Sequence, residues 1–320
     1  MGRRDTVTKV YMEQNDVFAD AFNYYIFGGQ QVIRPENLKE LDTPEIVVPY
    51  GADDAEEPEQ KYRDVMKSLV AMQDENMAYL LLGIENQSDV NYAMPVKNLV
   101  YDAMHYAKQV RKAADSHRRA KDYRGQNKGE FLSGFYKEDK LIPVITLVIF
   151  FSPDEWDGPT SLHEMLNVQD ERILSLVSDY RIHLVAPYGL SDEELDKFHS
   201  SLREVLAFIK YSKDQHKLSE AVQDNFHKIR QEEIDVLNCC VNAKLRLQDG
   251  EEELDVCKAL EDMKREAAIV AAREATIKAE ENTLLQALKN MMETLHLSAE
   301  QAMAALKIPE AKRSEFIAKL

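Results

Sequence analysis

Cysteine is scarce: of 320 residues only Cys239, Cys240 and Cys257 are cysteine, with no CxxC or Cys/His spacing around them. Cys239 and Cys240 are adjacent and so point to different faces of a helix. Free thiols in a reducing compartment are therefore expected, not a disulfide framework or a zinc site. No apolar run approaches the roughly 20 residues that span a bilayer. Met1-Gly2-Arg3-Arg4-Asp5 carries charge with no apolar segment behind it. Neither a membrane span nor a secretory signal is expected, and the cytoplasm is the natural location. His105, His117, His163 and His183 fall at no metal-ligand spacing. Ser133-Gly134 and Ser152-Pro153 lack the strand–turn–helix context of a nucleophile elbow, and Gly28-Gly29 reads as a helix stop, not a phosphate loop. No internal repeat or low-complexity segment is found.

What is abundant is acid. Fifty-seven Asp and Glu against 40 Lys and Arg leave a net charge of −17, which argues against a general polyanion binder. The charge is unevenly spread. Lys108, Arg111, Lys112, Arg118, Arg119, Lys121, Arg124 and Lys128 face only Asp115 and Asp122 within residues 108–128. The stretch reads either as a solvated loop or as a local phosphate-contacting arm on an acidic body.

Periodicity outlines an α/β domain over 1–213 and an all-helical region over 214–320. Residues 12–27 predict a helix, with Val17, Phe18, Ala21, Phe22 and Tyr25 at 3–4 spacing. Glu45 to Tyr50 reads as a short extended piece, followed by an exposed acidic loop over 51–60. Strands are expected over Tyr62–Met72 and Met77–Gln87, the second apolar on both faces as in a central strand. A helix follows from Val96 to Arg111 behind Pro95. Leu141–Phe151 and Ile182–Ala186 are further strands, and Ser191 with Glu194 forms a capping-box pattern. Residues 251–294, rich in Ala, Glu, Lys, Leu and Met, predict a hairpin of long helices. Ser298–Leu306 and Glu310–Leu320 follow as short helices separated by Pro309.

One constellation carries chemistry. If Asp74-Glu75 is the centre of the hairpin turn, Asp64 falls opposite Glu85, and strand alternation puts Glu85 and Gln87 on one face. A slip of one residue would turn Asp64 to the other face. Two carboxylates meeting beside a buried strand repel unless a cation neutralises them, and oxygen-only donors suit Mg²⁺ or Mn²⁺. The alternative is a surface hairpin with charged ends.

The stretch Tyr62-Arg63-Asp64-Val65, then Leu82-Gly83-Ile84-Glu85-Asn86-Gln87, resembles the core of the recombination-promoting nuclease (Rpn) and transposase family. That family belongs to the PD-(D/E)XK nuclease superfamily. Asp16-Val17-Phe18-Ala19-Asp20-Ala21-Phe22-Asn23, Tyr92-Ala93-Met94-Pro95-Val96, Tyr101-Asp102-Ala103 and Trp156-Asp157-Gly158-Pro159 extend the likeness over about residues 10–215. The resemblance implies a PD-(D/E)XK, restriction-endonuclease-like core, with a central mixed sheet flanked by helices. It also implies a Mg²⁺-dependent DNA endonuclease serving recombination, mobile elements or defence. Asp64 and Glu85 would ligate the metal. Gln87 stands where many superfamily members have lysine, able to orient a water but not to supply charge. Asp16, in the Asp-x-Phe position of the first helix, would complete the site, with Asp20 one turn on as its competitor. Asp102 and Tyr106 stand at the spacing of a Gln/Tyr pair in some relatives, but the first is Asp here, so Tyr106 reads as a core aromatic. The basic stretch would contact DNA, and the C-terminal helices would join copies of the chain. The rival reading is a catalytically degenerate nuclease fold acting as a protein-interaction module.

Overall fold

The computed structural model describes residues 3–40, 45–46, 60–61, 65–73, 76–121, 127–223, 228–248 and 250–320. Two helices open the chain, α1 (Arg3–Met12) and α2 (Asn15–Phe27). The predicted helix is α2, and Val17, Phe18, Ala21 and Phe22 are buried as their spacing requires. Gly28 stops it in the left-handed region at φ 63°, its N–H returning to the Tyr24 carbonyl, a conformation glycine adopts without strain.

Among the described residues seven strands follow: β1 (Leu38–Glu40), β2 (Glu45–Ile46), β3 (Gln60–Lys61), β4 (Val65–Gln73), β5 (Asn76–Gln87), β6 (Val144–Phe150) and β7 (His183–Val185). β2 and β3 pair with each other. The other five form one mixed sheet in the order β1-β4-β5-β6-β7. β1/β4 and β4/β5 are antiparallel, β5/β6 and β6/β7 parallel. The β4–β5 hairpin has the register the sequence predicts, from Val65 opposite Ile84 to Gln73 opposite Asn76.

Two helical layers cover the sheet. Lys67, fully buried on β4, donates from Nζ to the Glu13 carbonyl at 2.6 Å and to Asn15 Oδ1. It thereby fastens the α1–α2 junction to one face. On the other lies α3 (Met94–Ala120), where Thr146 Oγ1 of β6 donates to Asp102 Oδ1 at 2.8 Å. Met94 packs there with Val148, Phe150, Trp156 and Ile182. After β6 and β7, which hold the short α4 (Lys128–Ser133) before them and α5 (Glu171–Leu174) between them, come α6 (Asp192–Leu195) and α7 (Leu202–Tyr211). Ser191 and Glu194 make the predicted capping box.

The chain divides into two compact units, Met1–Val256 and Cys257–Leu320. The first extends beyond the boundary expected at 213 because α8 (Gln215–Gln223) and α9 (Gln231–Val241) belong to it. Leu218 and Val222 of α8 are buried. Tyr11 of α1 bonds Ser201 at 3.0 Å, and Ser201 Oγ donates to Glu233 of α9 at 2.6 Å. Ile229 and Leu254 exchange backbone hydrogen bonds beyond that.

The second unit corrects an expectation. Residues 256–295 form one 40-residue helix, α10 (Val256–Leu295), not a hairpin. Its C-terminal half builds a small core with α11 (Ala299–Ala305) and α12 (Glu310–Lys319) around Leu288, Ala302, Met303, Ile308 and Phe316. Over residues 268–280 it is exposed on every side, with Val270 at 52% and Ile277 at 53%. No helix among the described residues is long and apolar enough to cross a membrane.

Candidate active site

Of the residues named from sequence, Glu85 and Gln87 lie at the C-terminal end of β5. Glu85 pairs with Val148, and Gln87 with Phe150, in the parallel register to β6. Glu85 is described through its backbone, and Asp64 lies outside the described residues. Gln87 is half-buried. Its Nε2 donates to the Asn86 carbonyl at 2.9 Å, and its backbone carbonyl accepts from Phe151 N at 2.7 Å.

The two aspartates of α2 differ sharply. Asp16 is exposed. Asp20 is not the surface charge that competed with it. It is buried, and Oδ2 accepts from His199 N at 2.8 Å and from Ser200 N and Oγ, both at 2.7 Å. Its carboxylate is consumed in holding the segment that leads into α7.

Asp102 and Tyr106 both work on β6. Asp102 accepts from Thr146 and, at 2.6 Å, from the Tyr180 hydroxyl. Tyr106 is only half-buried, and its hydroxyl accepts from Val144 N at 3.1 Å. His183 beside this layer is held below its usual range by burial, partly offset by Asp102. Sequence reasoning missed Asn98, one turn before Asp102. It is fully buried, and neither Nδ2 nor Oδ1 has a partner. The signal available was a polar residue on the apolar stripe that also carries Met94, Tyr101 and His105.

The basic stretch is neither a loop nor an arm as far as residue 121: it is the C-terminal half of α3. Lys108, Arg111, Lys112, Arg118, Arg119 and Lys121 are all exposed, and Arg124 lies outside the described residues. At 3–4 spacing Lys108, Arg111, Lys112, Arg118 and Arg119 form one ridge, interrupted by Asp115, which pairs with Arg118 at 3.0 Å. The opposite side of the helix is anchored. Gln109 exchanges hydrogen bonds with the backbone of Ile142. His117 stacks on Tyr136 with ring centroids 3.7 Å apart and pairs with Asp139 at 2.9 Å. Gly134, at φ +67°, passes so close that a Cβ there would lie 2.7 Å from the Ala114 Cβ.

Among the described residues no three Cys, His, Asp or Glu side chains are placed to share a metal ion. A separate groove of about 780 Å³ lies over α6, α7 and α8 and shares no residue with β5. Two of its lining cations are ion-paired, Arg203 with Asp196 at 2.7 Å and Lys210 with Asp192 at 3.3 Å. No family model matches the chain, and no curated protein or solved structure matches it.

Proposed function

We propose that the chain is a metal-dependent DNA endonuclease with a PD-(D/E)XK core, hydrolysing phosphodiester bonds in recombination, mobile-element or defence chemistry. The observation that carries the reading is the β4–β5 register. Continued by one residue, that register would pair Asp64 with Glu85, as the chemistry requires. The order of elements, helix α2, antiparallel β1, β4 and β5, helix α3 and parallel β6, is the one such a core would use.

The donor types suit a hard divalent cation: carboxylates from Asp64 and Glu85, and the amide oxygen of Gln87. Mg²⁺ or Mn²⁺ held by Asp64 and Glu85 would supply positive charge against the scissile phosphate and acidify a bound water. Gln87 would orient that water through Oε1, and Asp16, exposed on α2, would complete the acidic set. The α3 ridge would track phosphates without reading sequence. We also infer that copies of the chain associate through α10. The face that buries Leu284, Leu288 and Met291 continues N-terminally at seven-residue spacing as Ile277, Val270 and Met263. An antiparallel second copy that pairs Val270 with Ile277 would set Glu274 against the partner's Arg273, matching charge as well as apolar surface.

The net charge of −17 and the absence of a lysine at position 87 favour a second reading, a catalytically inert nuclease fold that binds proteins. Plasmid cleavage with Mg²⁺, Mn²⁺ or EDTA, alongside calorimetric metal titration, separates the two. The nuclease reading expects metal-dependent nicking that Asp64→Ala and Glu85→Ala each abolish. Gln87→Ala should lose most activity, whereas Gln87→Lys should keep or gain it at saturating Mg²⁺. Neither cleavage nor heat of metal binding in the wild type would leave the interaction module standing.

A further inference from the structure

Ordering a backbone segment costs about 1–2 kcal/mol per residue, which the burial of apolar side chains normally offsets. No residue of α4 is buried. Its two large apolar side chains, adjacent Phe131 and Leu132, are instead 68% and 74% exposed. The helix is held from its ends. Asn127 Oδ1 accepts from Gly129 N and Glu130 N, Glu130 Oε2 accepts from Asn127 N, and Gly134 closes the turn at φ +67°. Ser133 Oγ donates to the Gly129 carbonyl at 3.0 Å. The tip is thus ordered with its apolar pair turned outward.

The surrounding charge is positive. Lys128 precedes Phe131 and Leu132 by three and four positions and so shares their face of the helix. The one acid of the helix, Glu130, is occupied at its own ends, with Oε1 accepting from Lys137 N at 3.1 Å and Oε2 from Asn127 N at 2.9 Å. A Cβ on Gly134 would lie 3.9 Å from Arg118 Nη2, so α4 ends against the C-terminal part of the α3 ridge. From Lys108 to Arg119 that ridge is a row of exposed cations about 16 Å long. One strand of a duplex carries a phosphate about every 3.4 Å along the axis. The row therefore matches a line of charge better than the dispersed headgroups of a bilayer.

We propose that Phe131 and Leu132 form an apolar wedge that enters a base step of duplex DNA while the α3 ridge lies along a phosphate strand. The inference rests on the DNA-binding part of the proposed function and not on its metal site. A wedge of this kind unstacks the step and kinks the duplex at a cost of a few kcal/mol. Burying Phe and Leu, at about 1.5–3 kcal/mol each, offsets that cost. The balance is best at pyrimidine–purine steps, which unstack most easily. The protein then favours deformable sequence without reading any base edge.

Binding of the full chain in EDTA to two duplexes of equal length, one rich in TA and CA steps and one an A-tract, tests this without cleavage. A fluorescent adenine analogue at the TA steps brightens where the base is unstacked. The wild type should bind the TA-rich duplex about 10-fold more tightly and brighten the analogue. Phe131→Ser with Leu132→Ser, both exposed, should lose the preference and the brightening. The double variant should keep the slope of affinity against salt, which belongs to the ridge. A wild type that binds both duplexes equally without brightening, or a double variant that keeps both effects, removes the wedge and leaves DNA binding intact. If the wild type binds neither duplex, the DNA reading is wrong and the wedge falls with it. Binding instead to phosphatidylserine vesicles, lost in the double variant, would make the pair a membrane anchor and overturn the wedge.

Discussion

Four positions separate Asp16 from Asp20 on α2, and the environment of each decides what its removal would do. Asp20 accepts three hydrogen bonds from His199 and Ser200 inside the protein. Asp20→Ala strands two backbone N–H groups and should cost about 3 kcal/mol of stability, visible as a lower urea midpoint. Asp16 is exposed, so Asp16→Ala should leave the midpoint unchanged while removing cleavage. A cleaving Asp16→Ala protein would take Asp16 out of the site. Sequence could rank these two aspartates only by their place relative to Phe18. The partners that claim Asp20 lie some 180 residues away, and no local pattern encodes them.

At the scale of elements, legibility followed locality. The hairpin register could be read because alternation and a short turn are local properties, and β6 because an uninterrupted apolar run suits a strand buried on both faces. The extension of α3 was not legible. Residues 112–121 look like a charged loop, although Lys, Arg and Ala are good helix formers. What holds them is distant: Tyr136 and Asp139 against His117, and Gly134 against Ala114. α1 was missed because its buried residues, Thr8, Tyr11 and Met12, make no conspicuous apolar stripe. The α10 hairpin was expected despite a stretch with no Gly or Pro to turn it. Because α3 is anchored on one side and exposed on the other, its ridge can be altered without unfolding it. Replacing Arg118, Arg119 and Lys121 with Ser should weaken DNA binding. It should also flatten the logarithmic salt dependence by roughly 0.9 per lost contact on duplex DNA. An unchanged slope would make the ridge a solvated helix end whose cations merely favour the C-terminal dipole.

Considered whole, the molecule is two compact units, each with a core of its own. Calorimetry should therefore resolve two transitions. Val270→Glu with Ile277→Glu should shift sedimentation toward the monomer and lower only the transition of the unit that contains α10. A wild type that already sediments as a monomer at all concentrations would remove α10 as a self-association face. Net charge belongs to this scale as well. The acidic excess of the whole chain opposes DNA, and only the separation of the α3 ridge from that excess makes the proposed contact reasonable, which is why bulk composition could not settle function.

The mixed sheet also sets an order of events during folding. β4 and β5 are joined by a two-residue connection and can zip within microseconds. β6 cannot add to β5 until residues 88–143 have crossed over, and closing so long a loop is entropically slow. For that interval β5, with its run of Leu80, Leu81, Leu82 and Ile84, offers an open hydrogen-bonding edge. Chains halted at residue 143 should therefore scatter light as aggregates, whereas chains halted at residue 256 remain dispersed. The strand that would carry Glu85 and Gln87 is thus the one most exposed to misassociation before synthesis is complete.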